Sequence, residues 1–167
     1  MFTKKSILRG MMLFVASLTC HVVQAESNPP GLFSHAKSRK AVPVPKDLPK
    51  NVDEVSSTYA QANIGMLFNG DWKKPKTKAQ LPEVRFDLSP TESVIGVVNY
   101  TEHYADAGIG YWEGTLKGEE KGTFSVNVSK IGVISSIRSE KKGTFEINCN
   151  AAFECKLSKL KLTKPAK

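Results

Sequence analysis

Between Val84 and Leu162 apolar and polar residues alternate with a period of two, and no other feature of the chain limits its fold so sharply. That period puts successive side chains on opposite faces of a strand, so one face can be buried while the other stays wet. Val84-Arg85-Phe86-Asp87-Leu88 is the first such strand, and Ser93 to Thr101 is the second, apolar on both faces near its middle. Tyr111 to Lys117 is a third, with Trp112, Gly114 and Leu116 on one face. Gly118 to Gly122 makes a glycine-bounded hairpin loop, after which Phe124, Val126 and Val128 face inward against Thr123, Ser125 and Asn127. Lys130-Ile131-Gly132 turns the chain into the Val133 to Ile137 strand. Phe145, Ile147 and Cys149 form the next inward set, and Leu160 with Leu162 another. Leu157 has the opposite parity, which a bulge near Ser158 and Lys159 would reconcile, because a slip of one residue reverses every side chain.

The stretch Lys121 to Asn127 (Lys-Gly-Thr-Phe-Ser-Val-Asn) recurs as Lys142 to Asn148 (Lys-Gly-Thr-Phe-Glu-Ile-Asn). One repeat pair is too little for a solenoid and fits two equivalent strands of a meander, each opened by a glycine turn. The expected fold is therefore mainly β: an antiparallel meander, or a small barrel or sandwich, occupying residues 81–167.

Residues 1–25 have the layout of a secretory signal. Lys4, Lys5 and Arg9 are followed by the apolar run Met11 to Leu18, too short for a membrane-spanning helix of about 20 residues. Val23-Gln24-Ala25 offers a cleavage site, leaving Glu26 as the new N-terminus, with an uncleaved anchor or lipid attachment at Cys20 as the competing readings. Export to the periplasm or beyond the cell is expected, with no transmembrane segment after signal removal. Two cysteines then remain, Cys149 and Cys155, and in an oxidising compartment they are expected to bond as a hairpin staple.

Residues 26–50 carry Pro29, Pro30, Pro43, Pro45 and Pro49 among lysines, which predicts an extended arm. Leu32, Phe33, Val42 and Val44 would let that arm lie across the domain as a strap. Residues 51–80 form a lead-in, in which Asp53 is placed to cap a short helix from Glu54 to about Asn63. The β-branched, serine-rich run Val55 to Thr58 counts against that helix.

Catalytic constellations are not found. His35 and His103 are not spaced as metal ligands, and no serine sits in a nucleophile elbow. His103 reads as a solvated loop residue, and Glu113, Glu119 and Glu120 as turn charges. An unrecognised enzyme would draw first on Glu113, Glu119 and His103, but neither an enzyme nor a cofactor is expected.

The chain is strongly basic, with a formal net charge of +8. Trp72 beside Lys73, Lys74 and Lys76, the exposed candidate Tyr104, and Lys159 with Lys161 in the tail form the candidate partner surface. Lysines without arginine forks read no base sequence, so an exported protein or an anionic envelope surface is the expected partner rather than nucleic acid. The plainer reading of the lysines is protection of sheet edges against aggregation.

The succession Val97-Val98, Tyr111 to Leu116, Gly122 to Val126, Gly132 to Ile137 and Gly143 to Ile147 resembles the β-rich propeptide module of secreted bacterial zinc metalloendopeptidases. The chain has no zinc motif, so no peptidase residue carries over. The resemblance implies a propeptide-like domain that binds, chaperones or inhibits a secreted protease. The functional expectation is an exported, non-enzymatic binding protein, with an envelope-associated structural protein that uses its lysine-rich tail as the alternative.

Overall fold

The computed structural model of the chain describes residues 28–35 and 51–163. Nine strands follow in order: β1 Phe33–His35, β2 Val52–Ala62, β3 Glu83–Asp87, β4 Ser93–Tyr104, β5 Ile109–Leu116, β6 Thr123–Ser129, β7 Gly132–Ser139, β8 Gly143–Cys149 and β9 Glu154–Leu162. They form one sheet in the order β1-β2-β9-β8-β7-β6-β5-β4-β3, and every neighbouring pair is antiparallel.

The sheet curls into a nearly closed barrel, and strand parity dictates how it shuts. Directions that alternate around nine strands leave the first and last running the same way, so the seam has to be parallel. Gly31, just before β1, makes a parallel bridge to Arg85 of β3. There the Leu32 amide donates to the Arg85 carbonyl at 2.8 Å, and the Arg85 amide donates to the Pro30 carbonyl at 3.1 Å. Side chains extend the seam: His35 Nε2 bonds the Asp87 carbonyl at 2.8 Å, and Thr58 Oγ1 donates to the Leu88 carbonyl at 3.4 Å. A Cβ on Gly31 would lie 2.7 Å from Asp87 Oδ2, so the Arg85–Asp87 ion pair leaves no room for one.

Rings fill the interior. Phe33, Phe86 and Phe124 stack across it with centroids 6.3 Å and 5.0 Å apart. Gly96 makes room, since a Cβ there would sit 2.5 Å from the Phe124 ring and 2.8 Å from Phe86. The sequence repeat becomes a packing layer: Phe124 and Phe145 both pair with Ile137, and Val126 and Ile147 both pair with Ser135. Each ring buried in this way contributes roughly 1.5–3 kcal/mol. Between β2 and β3 the chain crosses one end of the barrel, burying Met66, Leu67 and Phe68 around a single 3-10 turn at Ile64–Leu67, and then Leu81. Phe68 meets Trp112 edge-on at 5.5 Å and Trp72 at 4.9 Å, and Trp72 packs on Phe153 at 5.7 Å. This end is therefore plugged.

Several expectations are corrected. Glu54 to Ala62 is strand, not helix: β2 pairs with β9 from Val52 to Gln61, a partner that local propensity does not reveal. The β domain accordingly begins before residue 81 and includes β1 and β2. Leu32 and Phe33 are buried, but at and beside a strand of the sheet rather than as a strap laid across it. The signal-like residues 1–25 and most of the proline-rich arm, Val42 and Val44 included, lie outside the described residues. The bulge sits in β2, where the register shifts between Glu54 and Ser56, rather than near Ser158. Cys155 and Leu157 therefore face the core, and Leu162 is 76% exposed instead of inward. Lys159 and Lys161 lie on a strand flanked by β2 and β8, not on a sheet edge. His103 belongs to β4, opposite Gly110, with its Nε2 atom buried, and is not a solvated loop residue.

Candidate functional site

The expected partner surface is divided by the fold. Trp72 is half-buried in the plug rather than displayed, while Lys73 and Lys74 are exposed beside it and Lys76 is half-buried. Tyr104, at the end of β4, is 53% exposed at this same plugged end. Lys159 and Lys161 lie toward the opposite end of the barrel, and the Lys159 ammonium sits over the Phe145 ring at 5.5 Å. Lys156 pairs with Glu54 at 2.7 Å, and Ser158 Oγ donates to the same carboxylate at 2.9 Å. These contacts, the Lys156 bond foremost, hold the Glu54 carboxyl below its ordinary range against the opposing effect of burial.

The three residues an unrecognised enzyme would use are also separated. His103 points inward at the plugged end, whereas Glu119 lies in the β5–β6 loop at the other end. Glu119 accepts from Ser139 Oγ at 2.7 Å and from the Glu140 amide at 2.8 Å, tying that loop to the β7–β8 turn. Glu113 stands on the outer face of β5.

That outer face carries an ordered lattice. Tyr100 of β4 lies opposite Glu113 of β5, and Glu102 lies opposite Tyr111, so phenols and carboxylates alternate both along and across the strands. The Tyr111 hydroxyl donates to Glu113, which with partial burial pushes its pKa up to about 12. Glu102 likewise accepts from Tyr100 and Tyr104 and raises both, because phenolate would lose a bond and gain a like-charged neighbour. The rings of Tyr100 and Tyr111 meet edge-on at 6.2 Å.

Beyond this lattice lies a groove of about 430 Å³ at the plugged end, over the β6–β7 turn. Ile109, Ile131 and Ile134 give it an apolar floor and lip, and Asn127, Asn148 and Asn150 contribute uncharged polar groups. Ile131 is 83% exposed and Ile134 is 64% exposed. Strand parity explains Ile134: its neighbours Val133 and Ser135 face inward, so it must face out. The sequence reading misses both isoleucines, although the parity of Val133 and Ile137 is the available signal.

At the turn after β8, the Cys149–Cys155 disulfide closes the hairpin as expected. Asn150 Oδ1 accepts from the Ala152 amide at 2.9 Å and the Glu154 amide at 3.1 Å. This turn holds Phe153 at φ 60°, a left-handed conformation rare for a bulky residue, with its ring against Trp72. Among the described residues, no group of three His, Cys, Asp or Glu side chains is placed to hold a metal ion, and no helix is long and apolar enough to cross a membrane. No protein-family model matches the chain, and no curated protein or solved structure matches it.

Proposed function

We propose that the chain is an exported, non-enzymatic binding protein that receives an apolar loop of another exported protein on the groove formed by Ile109, Ile131 and Ile134. The observation that carries this reading is the display of Ile131 and Ile134 on a barrel whose interior is already filled with its own rings. An apolar centre with an uncharged polar margin has the composition of the buried core of a protein interface, where charged side chains are depleted. Tyr104, nearby at the plugged end, adds an amphipathic aromatic of the kind enriched in such contacts. Export is supported by the signal-like residues 1–25 and by the Cys149–Cys155 bond, which an oxidising compartment preserves.

The narrower reading, an inhibitor or chaperone of a secreted protease, rests on the propeptide resemblance. It is tested by adding the purified chain to the exported endopeptidase fraction and following cleavage of a protein substrate. Wild type should slow the cleavage, and the double variant Ile131→Asp, Ile134→Asp should not. For the broader reading, a photo-crosslinker placed at position 131 should capture one exported protein, and excess unlabelled wild type should compete the adduct away. Lack of any competable adduct at low salt would overturn the docking groove itself. Attachment to an anionic envelope through the tail has less support, because Lys156 is engaged by Glu54 and Lys159 by a phenyl ring.

A further inference from the structure

A second recess lies on the outer face of β4 to β7, distinct from the isoleucine groove. It arises from a defect in the pairing of β4 with β5. The register shifts between Val98 and Tyr100, so Asn99 is an extra residue, and a bulge of this kind re-aims its side chain. Gly114 faces the bulge, and a Cβ there would lie 1.9 Å from the Val97 carbonyl oxygen. With Asn99 displaced by the bulge, the outer surface over the Gly114 backbone is notched to a volume of about 400 Å³.

Polar groups line the notch on a regular grid. Glu113, Ser125 and Ser136 form one cross-strand row, and Thr115, Thr123 and Arg138 form the next. Neighbouring positions in a row are about 5 Å apart, and the two rows about 7 Å apart. The grid presents a carboxylate that only accepts, a guanidinium that only donates, and hydroxyls that do both. Among the described residues, the Ser125 and Ser136 hydroxyls and the Arg138 guanidinium have no hydrogen-bond partner. Glu113 is held in place by the Tyr111 hydroxyl, and Asn99 Nδ2 reaches Thr115 Oγ1 at 3.4 Å. Tyr100, 46% exposed and directly opposite Glu113, supplies a ring at the margin.

We infer that this notch binds a neutral oligosaccharide. Such a ligand offers donors and acceptors at close intervals around each sugar ring, together with a C–H face that packs on an aromatic side chain. Glu113 and Arg138 occupy opposite corners of the grid, so the notch has no single sign of charge to select a polyanion or polycation. β5, β6 and β7 are each paired on both sides, so no strand edge is present to add an extended peptide. Recognition has to come from side chains, and nearly all of those in the notch carry hydrogen-bonding groups.

The test is calorimetric titration of the full chain with cellohexaose, chitohexaose, mannohexaose and a sulfated heparin hexasaccharide. At least one neutral oligosaccharide should bind saturably, and Arg138→Ala and Glu113→Gln should each weaken it by about tenfold or more, as expected for loss of a charge-assisted hydrogen bond. Tyr100→Ala should weaken binding, and Ile131→Asp should leave it unchanged. Both Arg138 and Glu113 are exposed, and circular dichroism with thermal melting would confirm that their variants remain folded. The inference is overturned if no neutral oligosaccharide binds, if only the sulfated one does, or if binding survives the combined Glu113→Gln, Arg138→Ala change.

Discussion

The indole nitrogen of Trp112 donates to the backbone carbonyl of Lys76 at 3.1 Å, joining the barrel wall to the segment that plugs its end. Trp112 is itself buried and packs edge-on against Phe68 of the plug. Trp112→Phe would leave the Lys76 carbonyl unpaired and open a void beside Phe68. A loss of about 2–4 kcal/mol is expected, read as a lower urea midpoint. Trp72 would then be the sole remaining tryptophan reporter in the chain, and its emission should report a loosened plug before global unfolding.

Two glycines separate steric need from conformational need. At Gly114 a methyl group would collide with the Val97 backbone at 1.9 Å, so Gly114→Ala should cost more than about 3 kcal/mol or prevent folding. At Gly118 the backbone is left-handed, with φ at 75° and open space around it. There Gly118→Ala should cost only about 1 kcal/mol. Thermal melting of the two variants side by side checks the contrast, and equal losses would contradict it.

The Cys149–Cys155 bond closes a short loop, with a sequence separation of 6. Restricting so short a loop in the unfolded chain is worth about 2 kcal/mol. Replacing both cysteines with alanine should lower stability by that order while leaving the β-sheet circular dichroism intact. Loss of all folded signal would mean that the clasp is required for folding rather than an addition to it.

Tyr111 should ionise near pH 12 in the folded protein, against an ordinary value of 10.0. Its folded form holds the proton more tightly, so its contribution to stability is complete below pH 10 and is lost as pH rises toward 12. Phenolate absorbance on alkaline titration should include this late component, and Glu113→Gln should move it back toward the ordinary value.

Glu54 behaves in the opposite sense. Its folded pKa lies below the ordinary 4.5, so the stability it supplies is present above that value and disappears as pH falls. Wild type should exceed Glu54→Gln in stability at neutral pH, and the gap should close in acid. A gap that persisted unchanged at low pH would show that Lys156 and Ser158 stabilise the strand pair without the carboxylate charge.

The alternation in β3, β6 and β8 is legible in the sequence because each has one buried and one wetted face, which is what a period of two records. The glycine turns and the inward Trp112 follow from the same pattern. β2 is not legible, because Asp53 to Ser57 are all exposed or nearly so and carry no alternation for a reader to find. Its identity as a strand comes from β9, about a hundred residues later, as in the Lys156–Glu54 contact. The bulge in β4 hides in the same way: Val97-Val98-Asn99-Tyr100 has no alternation to break, and only the partner strand exposes the extra position. Of the expected surface, Tyr104 is exposed as read, whereas Trp72 is drawn inward by Phe68 and Phe153, which no local spacing announces.

Closing the ring joins elements that lie far apart in the chain. Its two closing elements, β1 and β2, are the first of the nine strands, yet β2 pairs with β9, about a hundred residues later. Without β9, no ladder joins the β3–β8 meander to β2. Such long-range pairing is slow to form. Closure of the ring is thus the step with the longest reach along the sequence.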